Sequence, residues 1–143
     1  MASDPPRTAG VWTLLVLLVV QGIGAVGGGI ALVAAPDGGI LHMPVENLHG
    51  SPFHDFLIPG IVLLVVLGVW PLAAAAGLWR HRAWAWYSAF AIGCGLMVFE
   101  VVEVLSIPFS PLQPIYFLVG LALAGLALLP SVRRFAGLRP LGS

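Results

Sequence analysis

Charge is what this chain has least of: six basic and six acidic side chains among 143 residues, or 8% of the total. A water-soluble domain carries about a quarter charged residues, so the polar groups here are too few to solvate a surface. Lysine is absent, and all six basic residues are arginine. The one cysteine, Cys94, has no partner for an intrachain disulfide and cannot build a thiolate zinc site. Six arginines spread over three segments make no basic surface, so nucleic acid is not an expected partner. These shortages exclude a soluble enzyme and a charged, disordered linker.

What is present is apolar. Hydrophobic residues make up 59% of the chain, and the mean hydropathy is +1.03. Apolar side chains in that excess must face lipid, so the bilayer is the first expected partner. At about 20 apolar residues per crossing, the chain holds four spans, short connections and little else. The runs predict spans at 11–35, 52–79, 83–105 and 113–129 within a single transmembrane domain, residues 1–143. The expected fold is all-α: a polytopic four-helix bundle.

Local signals place the connections. The first apolar run is too long for a signal-peptide core, and its helix is expected to be retained. Pro36-Asp37-Gly38-Gly39 is a turn sequence that ends it. The outer loop, 36–51, closes on Ser51-Pro52, which reads as a serine N-cap and a proline at the first helical position. Pro59 and Pro71 are expected to bend the second span. Arg80-His81-Arg82 is a tight polar turn in which His81 reads as a solvated loop residue.

The arginines give an orientation. Arg7 precedes span one, Arg80 and Arg82 join spans two and three, and Arg133, Arg134 and Arg139 follow span four. Four crossings put all of them on one side, which the positive-inside rule makes the cytoplasm, with both termini inside. Trp12, Trp79, Trp84, Trp86 and Tyr87 fall near that side, as an interfacial aromatic belt does. A lysine-free chain rich in Ala, Gly, Val, Leu and Pro fits high-GC bacterial coding, so the expected location is the bacterial cytoplasmic membrane.

The other face is acidic. Asp37, His42, Glu46, His49, His54 and Asp55 belong to it, and Glu100 and Glu103 approach it from within span three. A carboxylate inside the apolar layer is expected to face the bundle or water and to have a partner. Glu100 and Glu103, three residues apart, share one helix face, and no arginine is available on that side. The remaining partners are His54, His49, His42, the start of the second helix, or a proton. Glu100, Glu103, His54, Asp55 and His49 are therefore the candidate ligand or proton pocket. A divalent metal on Glu100, Glu103 and His54 is the alternative, because carboxylate and imidazole suit zinc or iron. The spacing lacks the companion Glu-x-x-His of carboxylate-bridged sites. A Ser51, His54, Asp55 catalytic triad is disfavoured: neighbouring helix residues diverge and Ser51 serves as a cap.

Small residues crowd the outer half of span one. Gly24 and Gly28 form a small-xxx-small pattern that permits close helix approach, within this chain or to another copy. Gln21 and Cys94, near mid-membrane, are read as interhelical contacts.

The strings Gly22-x-Gly24-Ala25-x-x-Gly28-Gly29, Pro36-Asp37-Gly38 and Ser51-Pro52-Phe53-x-Asp55-Phe56-Leu57-Ile58-Pro59-Gly60 carry a resemblance. With Glu100-x-x-Glu103 and Gln113-Pro114-x-Tyr116, the chain resembles a group of small bacterial four-helix membrane proteins over most of residues 20–120. That resemblance implies a shaped unit of outer loop and second-helix start, and no activity. The function expected from the residues is a non-enzymatic structural or accessory subunit, or a small-ligand-binding bundle, with an acidic and histidine pocket at its extracytoplasmic face. A membrane-protein partner or self-association goes with that reading. The competing expectation is a small membrane enzyme or carrier working through a metal or a proton.

Overall fold

A computed structural model describes residues 7–40, 42, 44–48, 52–106 and 111–138. His49 and Ser51 lie outside the described residues, so neither the histidine's place in the pocket nor the serine cap is addressed. Five α-helices are present among the described residues: α1 (Ala9–Ala34), α2 (Leu57–Trp79), α3 (Ala83–Ser106), α4 (Leu112–Ala127) and α5 (Pro130–Phe135).

α1 starts where the Thr8 side chain accepts from the Val11 amide, satisfying a donor that has no partner inside the helix. It stops at the expected turn. Gly38 takes a φ of 79°, and the Asp37 carboxylate accepts from the Gly39 amide at 2.8 Å.

α2 begins at Leu57 and not at Pro52. The Phe56 amide donates to the Pro36 carbonyl at 2.8 Å, tying the loop ends together, and Asp55 Oδ1 accepts from the Leu57 amide at 3.1 Å. The residues after Pro52 therefore direct their hydrogen bonds into the loop. Pro59 falls in the first turn, where its missing N–H leaves no gap, and the second span is disturbed lower down. A widened π turn occupies Val65–Val69, closed by the Trp70 amide on the Val65 carbonyl. Pro71 follows it. A proline there has no N–H for the Leu67 carbonyl one turn earlier and its ring crowds that oxygen. Gln21 of α1 supplies the missing donor: its Nε2 reaches the Leu67 carbonyl at 3.4 Å.

The α2–α3 turn is built on two hydrogen bonds, Arg82 amide to Gly77 carbonyl at 3.0 Å and His81 amide to Leu78 carbonyl at 3.0 Å. Together they form a Schellman closure, which asks for a left-handed residue, and His81 adopts it with φ 57°. His81 is not a free loop residue: its Nδ1 lies 2.9 Å from the Phe135 carbonyl and its ring 4.1 Å from the Phe135 ring. Phe135 belongs to α5, which the sequence reading leaves as tail. Pro130 opens this helix, and Val132 and Phe135, one turn apart, are fully buried against the bundle.

α1 packs on α2 and α4, and α3 packs on α2 and α4, so the four longer helices form a ring of neighbours. The segments bearing Arg7, Arg80, Arg82, Arg133 and Arg134 meet at one end. There the Trp86 indole N–H donates to the Ala127 carbonyl, and the Arg7 guanidinium stacks 3.8 Å from the Trp79 ring centre. The other end carries a smaller cluster of Leu32, Leu48 and Phe56, which seats the outer loop on α1 and α2.

Glycine sets the α1–α2 contact, at positions other than those the small-xxx-small pattern singles out. A Cβ on Gly29 would lie 2.7 Å from the Leu64 Cα, and one on Gly22 would lie 2.9 Å from the Gly68 carbonyl oxygen. Gly24 faces open space, and Gly28 meets only the Leu63 side chain at 3.3 Å. The close face of α1 is a seven-residue repeat, Gly22 and Gly29, on the buried side of the helix.

Outward-facing positions are apolar. Val20, Val98, Leu105 and Leu118 are each at least 60% exposed, a surface that water does not tolerate at this extent. Three helices, Ala9–Ala34, Leu57–Trp79 and Ala83–Leu105, are long and apolar enough to cross a membrane, which suggests a multi-pass membrane protein. α4, at 16 residues, measures roughly 24 Å at about 1.5 Å per residue. It is apolar but shorter than the about 30 Å hydrocarbon layer.

Candidate functional site

The seam between α3 and α4 contains most of the buried polarity. The two helices run antiparallel, as the Trp86 to Ala127 hydrogen bond at their arginine-side ends requires. They cross backbone to backbone at Gly93 and Gly120. A Cβ on Gly93 would stand 2.7 Å from the Gly120 oxygen, and one on Gly120 would stand 2.8 Å from the Gly93 oxygen. Only glycine admits so close an approach.

That crossing sets the register above it. Glu100 lies two turns beyond Gly93 on α3, and Gln113 lies two turns ahead of Gly120 on α4. At about 1.5 Å per residue, each stands roughly 10 Å from the crossing, in the same direction and on the seam side of its helix. Both are buried, Glu100 with 4% of its surface exposed and Gln113 with 3%. Glu103, one turn further along α3 and on the same helix face, is partly buried.

Gln113 is the residue that the reading of acids and histidines passes over. Its amide carries two donors and an acceptor, buried on the same seam as Glu100. The signal was a polar residue at the first turn of an apolar helix, seven positions from a glycine.

The remaining candidates are placed elsewhere. Asp55 caps α2 and is exposed, and His54 beside it is exposed as well. Asp37 closes the turn after α1, while Glu46 sits exposed in the short 3-10 turn Val45–Leu48. Among the described residues no three His, Cys, Asp or Glu side chains come together as a metal-ligating group. Glu100, Glu103 and His54 are therefore not gathered around a common point. All described arginines stand at the opposite end of the helices.

No protein-family model, curated protein or solved structure matches this chain.

Proposed function

We propose that this protein is a non-enzymatic, four-span subunit of the bacterial cytoplasmic membrane. In this reading its extracytoplasmic end holds a proton or a small cationic group between Glu100, Glu103 and Gln113. α4 serves as the fourth span: it lies along α3 and α1 as a full member of the ring. The arginines mark the cytoplasmic end, with both termini inside.

One observation carries the pocket: Glu100 is 4% exposed on a helix that crosses lipid, with every described arginine at the far end. An intramembrane carboxylate needs neutralising, and such groups commonly mark proton or ligand positions. Burial of Glu100 one helical turn from a second carboxyl group, Glu103, favours a proton as the resting occupant, displaced by a cation when one binds. Asp55 and His54 serve the entrance to α2 in this account.

Native mass spectrometry of the protein released from mild detergent, joined to infrared spectroscopy of its carboxyl region, tests the reading. Wild type is expected to show either a small cationic adduct or a protonated-carboxyl C=O band. Both signals are expected to vanish when Glu100→Gln and Glu103→Gln are combined. The same spectra in wild type and double variant, with the fold intact, would overturn the pocket.

A further inference from the structure

A second feature lies on the lipid-facing side of the bundle, away from the carboxyl seam. Between α1 and α2, toward the arginine end, an open groove of about 490 Å³ is lined by Trp12, Val16 and Val20 on one wall and Leu72, Ala76 and Trp79 on the other. The lining positions recur every three or four residues on both helices, so each wall is a single helical stripe. Ala76 leaves the space: a larger side chain at that place would close it. From Trp12 to Val20 the groove runs roughly 12 Å along the helix axis.

At the arginine end of the groove a cation lies beside its tryptophans, with Arg7 between the Trp79 and Phe135 rings. Trp12 and Trp79 meet edge to face there, their ring centres 5.7 Å apart. The Arg7 guanidinium covers the Trp79 ring at 3.8 Å and donates through Nη2 to the Trp79 carbonyl at 3.2 Å. Arg7 Nε is buried without a hydrogen-bond partner among the described residues. Every described carboxylate belongs to the other end of the bundle or to the outer loop, and Arg80, next after Trp79, is exposed. A cation is thus fixed beside the arginine-end tryptophans of an apolar slot, with no carboxylate next to it among the described residues.

We propose that this groove binds one anionic phospholipid, its acyl chain lying along the α1–α2 slot and its phosphate held at Arg7. The occupant must be long, unbranched, apolar and negatively charged at one end, and the charge must sit at the depth of the tryptophan pair. A phospholipid of the inner leaflet has that form. The arginine attracts an anionic headgroup through charge and through N–H donors suited to phosphate oxygens.

The test uses the full chain in bilayer discs of equal phosphatidylglycerol and phosphatidylcholine, extracted into mild detergent, with retained lipid counted by mass spectrometry. Wild type is expected to retain phosphatidylglycerol in preference to phosphatidylcholine. Ala76→Phe and Val16→Phe, which fill the slot from either wall, are expected to lower total retained lipid about fivefold or more. Arg7→Gln is expected to keep a chain in the slot while the preference falls about fivefold, as one basic residue beside an anionic lipid warrants. Val98→Phe, exposed on α3 away from the slot, and Arg134→Gln, exposed on α5, report on folding and on general surface charge and are expected to match wild type. Unchanged retention in both filling variants overturns the proposal. So does an unchanged preference in Arg7→Gln, or an equal loss in Arg134→Gln.

Discussion

Gln21 and Pro71 illustrate how single residues depend on each other across this bundle. Pro71 removes a donor from the Leu67 carbonyl, and Gln21 returns one from the neighbouring helix. Gln21→Leu is therefore expected to destabilise by about 1 kcal/mol, the usual scale for a hydrogen bond between membrane helices. In the Pro71→Ala background, which restores a backbone N–H, the same change is expected to cost less. A double-mutant cycle from detergent unfolding measures the difference, and strictly additive effects would contradict the coupling. Gln21 was legible in the sequence as an interhelical contact because a lone amide in an apolar run has few other uses. Its partner was not legible, since an acceptor freed by a proline on another helix leaves no mark in the pattern of Gln21's own segment. Glu100 was legible for the same reason as Gln21, whereas Gln113 needed the Gly93–Gly120 crossing to place it. Glu100→Gln is expected to preserve helicity and abolish the protonated-carboxyl band or cationic adduct, read against wild type in the infrared and native mass spectra.

Elements differ in how much they announce. Three long apolar helices and the turns between them follow from run length, Pro36-Asp37-Gly38-Gly39 and Arg80-His81-Arg82. The π turn Val65–Val69 does not, because it depends on how α2 accommodates Pro71 beside α1. α5 is only six residues long, too short for periodicity to stand out, although Pro130 at its start and arginines in its last turn are ordinary helix signals. Glycine spacing alone does not say which face of α1 meets which partner. Gly24 and Gly28 match a familiar spacing, but the helix turns Gly24 outward, and the close contact falls to Gly22 and Gly29. Gly29→Ala is accordingly expected to destabilise by about 1–3 kcal/mol, since its Cβ would press on Leu64 backbone and force the helices apart. Gly24→Ala meets nothing within 4 Å and is expected to be neutral or to gain up to about 1 kcal/mol of helix propensity. Thermal unfolding of the two variants in one detergent compares them directly; an equal loss in both would contradict the assignment of faces. Phe135→Ala, which empties a fully buried position beneath His81, is expected to cost about 3 kcal/mol or more in the same assay.

At the scale of the molecule, the few charges are sorted and not merely few. Arginines gather with tryptophans at one end, where Arg7 lies on Trp79 and Arg133 lies 4.7 Å from the Trp86 ring centre. The described carboxyl side chains gather toward the other end, in the loop after α1, at the start of α2 and along the α3–α4 seam. A net charge of zero therefore conceals a polar axis, and the proposed pocket and the proposed lipid slot lie in its opposite halves. Both depend on four crossings with the arginine end in the cytoplasm. Cysteine accessibility in intact cells tests that arrangement most directly, in a Cys94→Ser background with a membrane-impermeant maleimide added from outside. Ile40→Cys, exposed in the outer loop, is expected to react at once; Ala83→Cys and Leu129→Cys, exposed at the arginine end, are expected to react only after permeabilisation. Labelling of Ala83→Cys or Leu129→Cys in intact cells, or protection of Ile40→Cys, would contradict it.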